Sequence, residues 1–538
     1  MKKITLLTCL ALCFIWSAMA QPCLPEGITF TTQEEIDNFA TLYPRCTEIE
    51  GNVVIKGEDI HDLSGLLQIT AMGGNLSIYA TSLVNLSGLD NLNIVSGNLS
   101  IGGLFSGNER LTSLTGLDNL FVVEGNINLS KNPQLTSILG LKNLQYVNGS
   151  IHIFMNDALA SLANLESLWV LQGDLNLESN HNLSDLHGMG LLKHIGGSLI
   201  VAENDQLTNL QGLSKIETIG GSLVISKNEQ LSNLEGLERI ATIKGDLIIK
   251  RNQSLTDLTG LQHLSRIGQE LHIEYNTTLQ SIKKFEQLTY VGGEITISDN
   301  ESLNSLCGIE KIKIVNGDLK INHNMMLACL EGIQVEHIKG NLEIFDNEHM
   351  ADLNGLNSLE RVDGFIEIHQ NKMMTSLNGL NQLEYVGKDL EIHDLTSLLS
   401  FDGLGGFTRF EGVVSIHDMQ AMTEISAFEN LKTLNGGLAI RDNPALVRVT
   451  GFGNLKEITG NLILEGNVTL EHIAGFSTLE TIGGNLHIQR NAGLRQPAGF
   501  YGLKTIGGEL RIERTASLND LTGFSALEQV GPGKPRND

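Results

Sequence analysis

Apolar residues fall on a fixed grid along most of the chain. From residue 51 a Gly-x-apolar-x-apolar signature returns at a spacing of 24 residues almost throughout, with twenty anchors from Gly51 to Gly508, two of them Gln269 and Lys388 in place of Gly. One step is longer: Gly97 to Gly125 takes 28 residues, where the segment Gly102–Arg110 adds a small loop. In the unit from Gly221 to Lys244, counting the anchor as zero, apolar residues stand at offsets 2, 4, 10, 13, 16, 19 and 22. A fixed period of this length marks a solenoid, in which each unit buries its apolar face only against its neighbours. Offsets 2 and 4 alternate as a strand does, and the later ones are three apart. Glycine at offset 15 (Gly140, Gly212, Gly236, Gly260, Gly308) opposes a helix there by about 1 kcal/mol per unit. The pattern predicts coils of short strands and corners, stacked as parallel β-sheets with equivalent residues about 4.8 Å apart. No proline interrupts the stretch between Pro133 and Pro444, as continuous ladders require.

Two columns of identical residues support this register. Asn occupies offset 7 in eleven successive coils, from Asn132 to Asn371, and returns at Asn443, Asn467 and Asn491. It reads as a corner residue, because Asn tolerates left-handed backbone and can bond the neighbouring coil's main chain. Phe428, Phe452, Phe476, Phe500 and Phe524 follow the offset-15 position in the last five coils and read as a core stack.

Outside the array the signals change. Residues 1–20 carry Lys2 and Lys3, an apolar run from Ile4 to Trp16 and the small-x-small end Ala18-Met19-Ala20, the pattern of a secretory signal peptide. The run is too short to span a bilayer, so no membrane span is expected once it is removed. Residues 21–50 form a capping segment. Thr32-Gln33-Glu34-Glu35 is a capping box, after which Ile36, Phe39 and Leu42 share a helical face before Pro44. Cys23 and Cys46 bracket this helix and are expected to pair in an oxidising compartment. Cys307 and Cys329 lie in adjacent repeats but two positions out of register; whether they pair stays open. The continuous array covers 51–531, and 532–538 is a tail whose Pro532 blocks a further coil. An uncovered sheet end there would invite end-to-end self-association.

Composition narrows the function. The chain has 36 Lys+Arg against 62 Asp+Glu, a net charge of −26, which excludes a nucleic-acid binder of the basic kind. Aromatics make up only 5 % and Gly reaches 58 residues, a balance that fits a repetitive fold better than an ordinary enzyme core.

The run Cys46-Thr47-Glu48-Ile49-Glu50-Gly51-Asn52-Val53-Val54-Ile55, with units such as Gly116 to Ile138, resembles the receptor L domain. That is the leucine-rich, right-handed β-helix of insulin- and EGF-receptor ectodomains and of some fungal and bacterial surface proteins. The resemblance covers residues 46–531. It implies an all-β, right-handed parallel β-solenoid, leucine-rich-repeat-like, and a role in binding outside the cell. The receptors' Cys-rich region, transmembrane helix and kinase have no counterpart here, so ligand-triggered signalling does not carry over.

Candidate chemistry must sit on outward-facing strand positions, offsets 3 and 5. Ile200, Val224 and Ile248 make one apolar ladder at offset 3, which also suits a strand with no further role. More specific are Glu343, Glu367 and Glu391 at offset 3 and His369, His393 and His417 at offset 5. Stacked carboxylates repel unless a cation or proton intervenes, and His beside Glu suits zinc or a similar metal, with Glu367, His369, Glu391 and His393 as its ligands. The coils of His393 and His417 replace the corner Asn by Leu395 and Met419, with Asp394 and Asp418 one position earlier. No metalloprotease motif, phosphate loop, nucleophile elbow or calcium-loop motif occurs, and no cofactor is expected. The sequence thus points to a secreted or cell-surface, non-enzymatic interaction protein that binds an extracellular protein or glycan on an extended face. A passive stalk is the alternative, and a polysaccharide-acting β-helix enzyme the less favoured one.

Overall fold

The computed structural model describes residues 21–103 and 105–531; the proposed signal peptide and tail lie outside the described residues. The chain is an all-β parallel solenoid of about 21 turns with 24-residue coils. Most coils have one long and one short strand; those from Gly412 and Gly436 add a third, Glu424–Ile425 paired with Arg448–Val449. In the unit from Gly221 the long strand is Leu223–Ser226, paired in parallel with Leu199–Ala202 and Leu247–Lys250. The short strand is Thr242–Ile243, paired with Thr218–Ile219. The third side is built of turns, tightened into a 3₁₀ turn in coils such as Gln211–Leu213 and Ala474–Phe476.

All seven apolar offsets point inward. Leu223, Ile225, Leu231, Leu234, Leu237, Ile240 and Ile243 are each fully buried. Offset-15 glycine does more than avoid a helix. Gly236 has φ +115°, and a Cβ there would lie 1.8 Å from the Leu210 carbonyl oxygen of the coil before. At Gly236 the turn side is therefore packed backbone against backbone, with no room for a side chain.

The Asn column corrects one expectation. The left-handed residue is at offset 6, one position before the Asn, and it is of many types: Lys131, Met155, Glu203, Tyr275 and Asp299 all have φ near +56°. The Asn holds that corner instead of forming it. Asn228 Oδ1 accepts from the Asn204 N–H (3.1 Å), its Nδ2 donates to the Val201 carbonyl (2.9 Å), and its own N–H donates to Asn252 Oδ1 (3.1 Å). A fully buried amide is satisfied on every side, which makes it a structural part of the core. The column begins one coil earlier than the regular spacing shows. Asn108, displaced by the inserted loop, is buried and donates to Asn132 Oδ1 (3.0 Å).

Contacts group the described residues into two compact units, one running to Leu255 with Thr259–Leu264, the other Thr256–Leu258 with the residues from Ser265 on. In the first unit, residues 21–50 make a turn of their own, which is why the count exceeds the anchors by one. Pro22–Cys23 pairs with Glu48–Ile49, and Ile28–Phe30 with Val53–Ile55, so both sheets begin there. The helical face splits at Asn38 into Gln33–Asp37 and Phe39–Leu42. Thr32 and Glu35 form the capping box; Ile36 and Phe39 are buried, whereas Leu42 points outward and is exposed, contrary to expectation. Cys23 and Cys46 are disulfide-bonded, with Cα atoms 5.6 Å apart.

In the second unit, long strands run in register from Leu271–Glu274 to Leu510–Glu513. Phe428, Phe452, Phe476, Phe500 and Phe524 stack face to face at 5.2–5.5 Å, the first four fully buried. Leu395 and Met419 are fully buried where the Asn column lapses, and the Met419 N–H donates to Asn443 Oδ1 (3.0 Å), which restarts it. Cys307 and Cys329 are free thiols. Among the described residues no helix is long and apolar enough to cross a membrane.

Candidate functional site

Parallel, in-register stacking turns one residue position into a column of side chains. In most long strands offsets 2 and 4 are buried and offsets 3 and 5 part-exposed, as the alternation of a strand requires; small residues such as Ser226 at offset 5 are buried by their neighbours. The outward positions are only half open because each side chain is flanked by its equivalents in the coils above and below.

The Glu and His columns form as expected. Glu343 pairs with Glu367 and Glu367 with Glu391; His369 pairs with His393 and His393 with His417. The imidazoles stack within 7° of parallel, 4.5 Å apart between His369 and His393 and 4.6 Å between His393 and His417. Phe345 lies on the open side of His369 at 4.7 Å. The rings are more enclosed than strand-surface residues usually are, with side chains 15 % (His369), 17 % (His393) and 24 % (His417) exposed. Burial, reinforced by the neighbouring His393, holds the His369 ring below the ordinary histidine range. Burial also raises the Glu343 carboxyl; Lys320 opposes that rise, and Asp318 and Glu367 add to it.

Two triads have ligand atoms within 4.8 Å of one another: Glu367, His369 and His393, and Glu391, His393 and His417. Glu343 is in neither triad, because the offset-5 residue of its own coil is Phe345, which leaves His369 of the next coil as its single histidine neighbour. His417 Nδ1 bonds Asp418 Oδ2 at 2.8 Å, and His393 Nδ1 stands 3.5 Å from Asp394 Oδ2.

A second feature escaped the sequence reading. In the first unit a groove of about 630 Å³ opens on the long-strand face. Offset 5 there reads Tyr79, Gly102, Ser130 and Phe154, so two coils with almost no side chain lie between two rings. The floor is the offset-3 column of Ser77, Ser100, Asn128, His152 and Asn176. Gly102, with φ +86°, is where the inserted loop leaves; a Cβ would meet the Ser130 carbonyl oxygen at 1.7 Å. Asn176 Oδ1 is buried without a hydrogen-bond partner, and Phe105 in the loop is 96 % exposed. The available signal was the placement of two aromatics at offset 5 in a chain poor in them. A groove of about 560 Å³ among the turns of the second unit is also lined by two rings and two amides, Phe401, Phe428, Asn381 and Asn430, but both rings are buried in the core and offer no open face.

Residues 45–102 and 334–402 match the family model described as Receptor L domain. The second segment contains Glu343, both Glu–x–His pairs and Phe345; the first contains Tyr79 and ends at Gly102. No curated protein matches the chain. Similar solved structures include a TLR13–ssRNA13 complex, 14 % identical over 95 % of this chain and 86 % of that chain, with a TM-score of 0.22. Another is an internalin, InlF, from Listeria monocytogenes, 15 % identical over 82 % of this chain and 88 % of that one, with the same TM-score of 0.22. Likeness at this level carries no information about ligands.

Proposed function

We propose that this receptor L-domain-like repeat protein is an exported, non-enzymatic interaction protein that holds an extracellular protein or glycan on the long-strand face of its first unit. The observation that carries the reading is the groove between Tyr79 and Phe154. Its rings offer flat apolar surface, and its floor of hydroxyls, amides and an imidazole offers donors and acceptors at the regular spacing of the sheet. Asn176 Oδ1 is an acceptor whose burial costs free energy until a partner supplies a donor. Phe105 at the loop is apolar surface that gains from being covered. Export is supported by the basic-apolar-small pattern of residues 1–20 and by the Cys23–Cys46 bond, which suits an oxidising compartment.

The test is an array of glycans and extracellular proteins probed with the chain from residue 21 and with its Tyr79→Ala/Phe154→Ala variant. Saturable binding by the parent, weakened at least about tenfold in the variant, is the expected result. A folded parent that binds nothing would move the assignment to a stalk. Binding untouched by the double substitution would move it to another face. Deleting Gly102–Arg110 is not a clean alternative, because it removes the buried Asn108 and opens the Asn column.

A further inference from the structure

In the histidine column of the second unit, His369 and His393 are held differently from His272. His272, on the same kind of strand, has both ring nitrogens bonded to carboxylates at 3.0 Å, Nδ1 to Glu274 and Nε2 to Glu270. In the column the approach is looser and shared. Glu367 Oε1 stands 3.6 Å from His369 Nε2 and 3.8 Å from His393 Nε2, and Glu391 Oε1 stands 3.3 Å from His417 Nε2. The two Glu367 separations are too long for hydrogen bonds. They are close to the spacing of about 3.4 Å between two ligand atoms that each lie about 2.1 Å from a tetrahedral ion.

We propose that Glu367, His369, Glu391, His393 and His417 form a transition-metal site that takes one zinc-class ion per chain, with His393 as the indispensable ligand. Imidazole together with a single carboxylate selects zinc and its neighbours over calcium or magnesium, which need many oxygens. His393 belongs to both triads and can give one nitrogen to one ion, which sets the stoichiometry. Metal-bound histidine ordinarily passes its other N–H to a carboxylate, which fixes the tautomer and the ring plane. Asp418 already does this for His417, and Asp394 is placed to do it for His393 after a small rotation. Both aspartates occupy the left-handed corner that follows the strand (φ +53° and +59°), so the chain turns each carboxylate back toward the ring before it. His369 Nδ1 and His393 Nδ1 are buried with no hydrogen bond, whereas a mere surface pair would be satisfied by solvent. Three protein ligands leave a fourth tetrahedral position, which is open to water or to a donor group of a partner.

The test needs no partner, so its failure is separable from failure of the groove reading. The chain from residue 21, stripped of metal, is dialysed against zinc chloride, and bound zinc is counted. The proposal expects one equivalent in the parent and in His272→Ala. It expects none in His393→Ala or in Glu367→Ala/His393→Ala. Cobalt(II) in place of zinc should show the intense visible bands of a tetrahedral ion, and these should vanish in His393→Ala. Circular dichroism checks that each variant is folded, and His393→Gln replaces the alanine variant if that one melts early. Zinc held equally by parent and His393→Ala, no zinc held by the parent, or two equivalents held would each overturn the proposal.

Discussion

Asn228 shows how much a single position carries in a stacked fold. Its side-chain amide serves the main chain of the coil before, and its own N–H is held by the Asn252 side chain of the coil after. Asn228→Ala orphans the Asn204 N–H and the Val201 carbonyl in the core, and should cost about 1–3 kcal/mol. Urea titration of parent and variant measures this as a lower midpoint. His272 is the residue with the clearest pH signature. Hydrogen bonding to Glu274, opposed by burial and aided by Glu270, raises its pKa from 6.5 to about 9. A raised folded-state pKa means that the charged ring stabilises the fold fully below the unfolded value and ceases to do so as pH climbs through the folded one. The stability gap between the parent and His272→Gln should therefore be widest near about pH 6 and close by about pH 10. A gap that does not change across that window would contradict the pairing. At this scale the sequence was only partly legible. The Asn column was plain, but the left-handed corner beside it was not, since Lys, Met, Glu, Tyr and Asp all occupy it and none announces a positive φ.

The element that repeats is a coil with one long strand, one short strand and a turn side, and its period was readable because seven inward positions stay apolar. The close contact on the turn side was not, because it involves main chain only. Gly236→Ala must place a methyl group against the Leu210 carbonyl at φ +115°, and should destabilise by more than about 1 kcal/mol. Limited proteolysis locates the damage: cleavage should begin in the coils around residue 236, and cleavage confined to the chain ends would argue that the turn side relaxes freely. The Glu and His columns were legible as columns, because parallel in-register pairing follows from the period. Their enclosure was not, since it depends on the Phe345 ring and on neighbours that no single coil reveals. The groove was missed for the same reason. It exists through absence, where Gly102 and Ser130 leave space between Tyr79 and Phe154, and a reading that looks for reactive residues passes over small ones.

For the molecule as a whole, the period settles the architecture while leaving the surface free to vary, which is why fold was far easier to read than function. Receptor L-domain similarity at residues 45–102 and 334–402 agrees with the coil pattern and favours a role in protein interaction. The negative charge, −26 over the chain, steers the account away from phosphate backbones and toward neutral or cationic partners. The proposed seat of a partner is the long-strand face of the first unit, between two rings and beside an exposed loop. Hydroxyl-radical footprinting of the chain from residue 21, alone and saturated with the tightest binder from the array, tests that placement most directly. The account predicts that oxidation of Tyr79, Phe105 and Phe154 falls in the complex while exposed Trp169 and Met326 react as before. Protection of Trp169 or Met326, with the three rings unchanged, would contradict it.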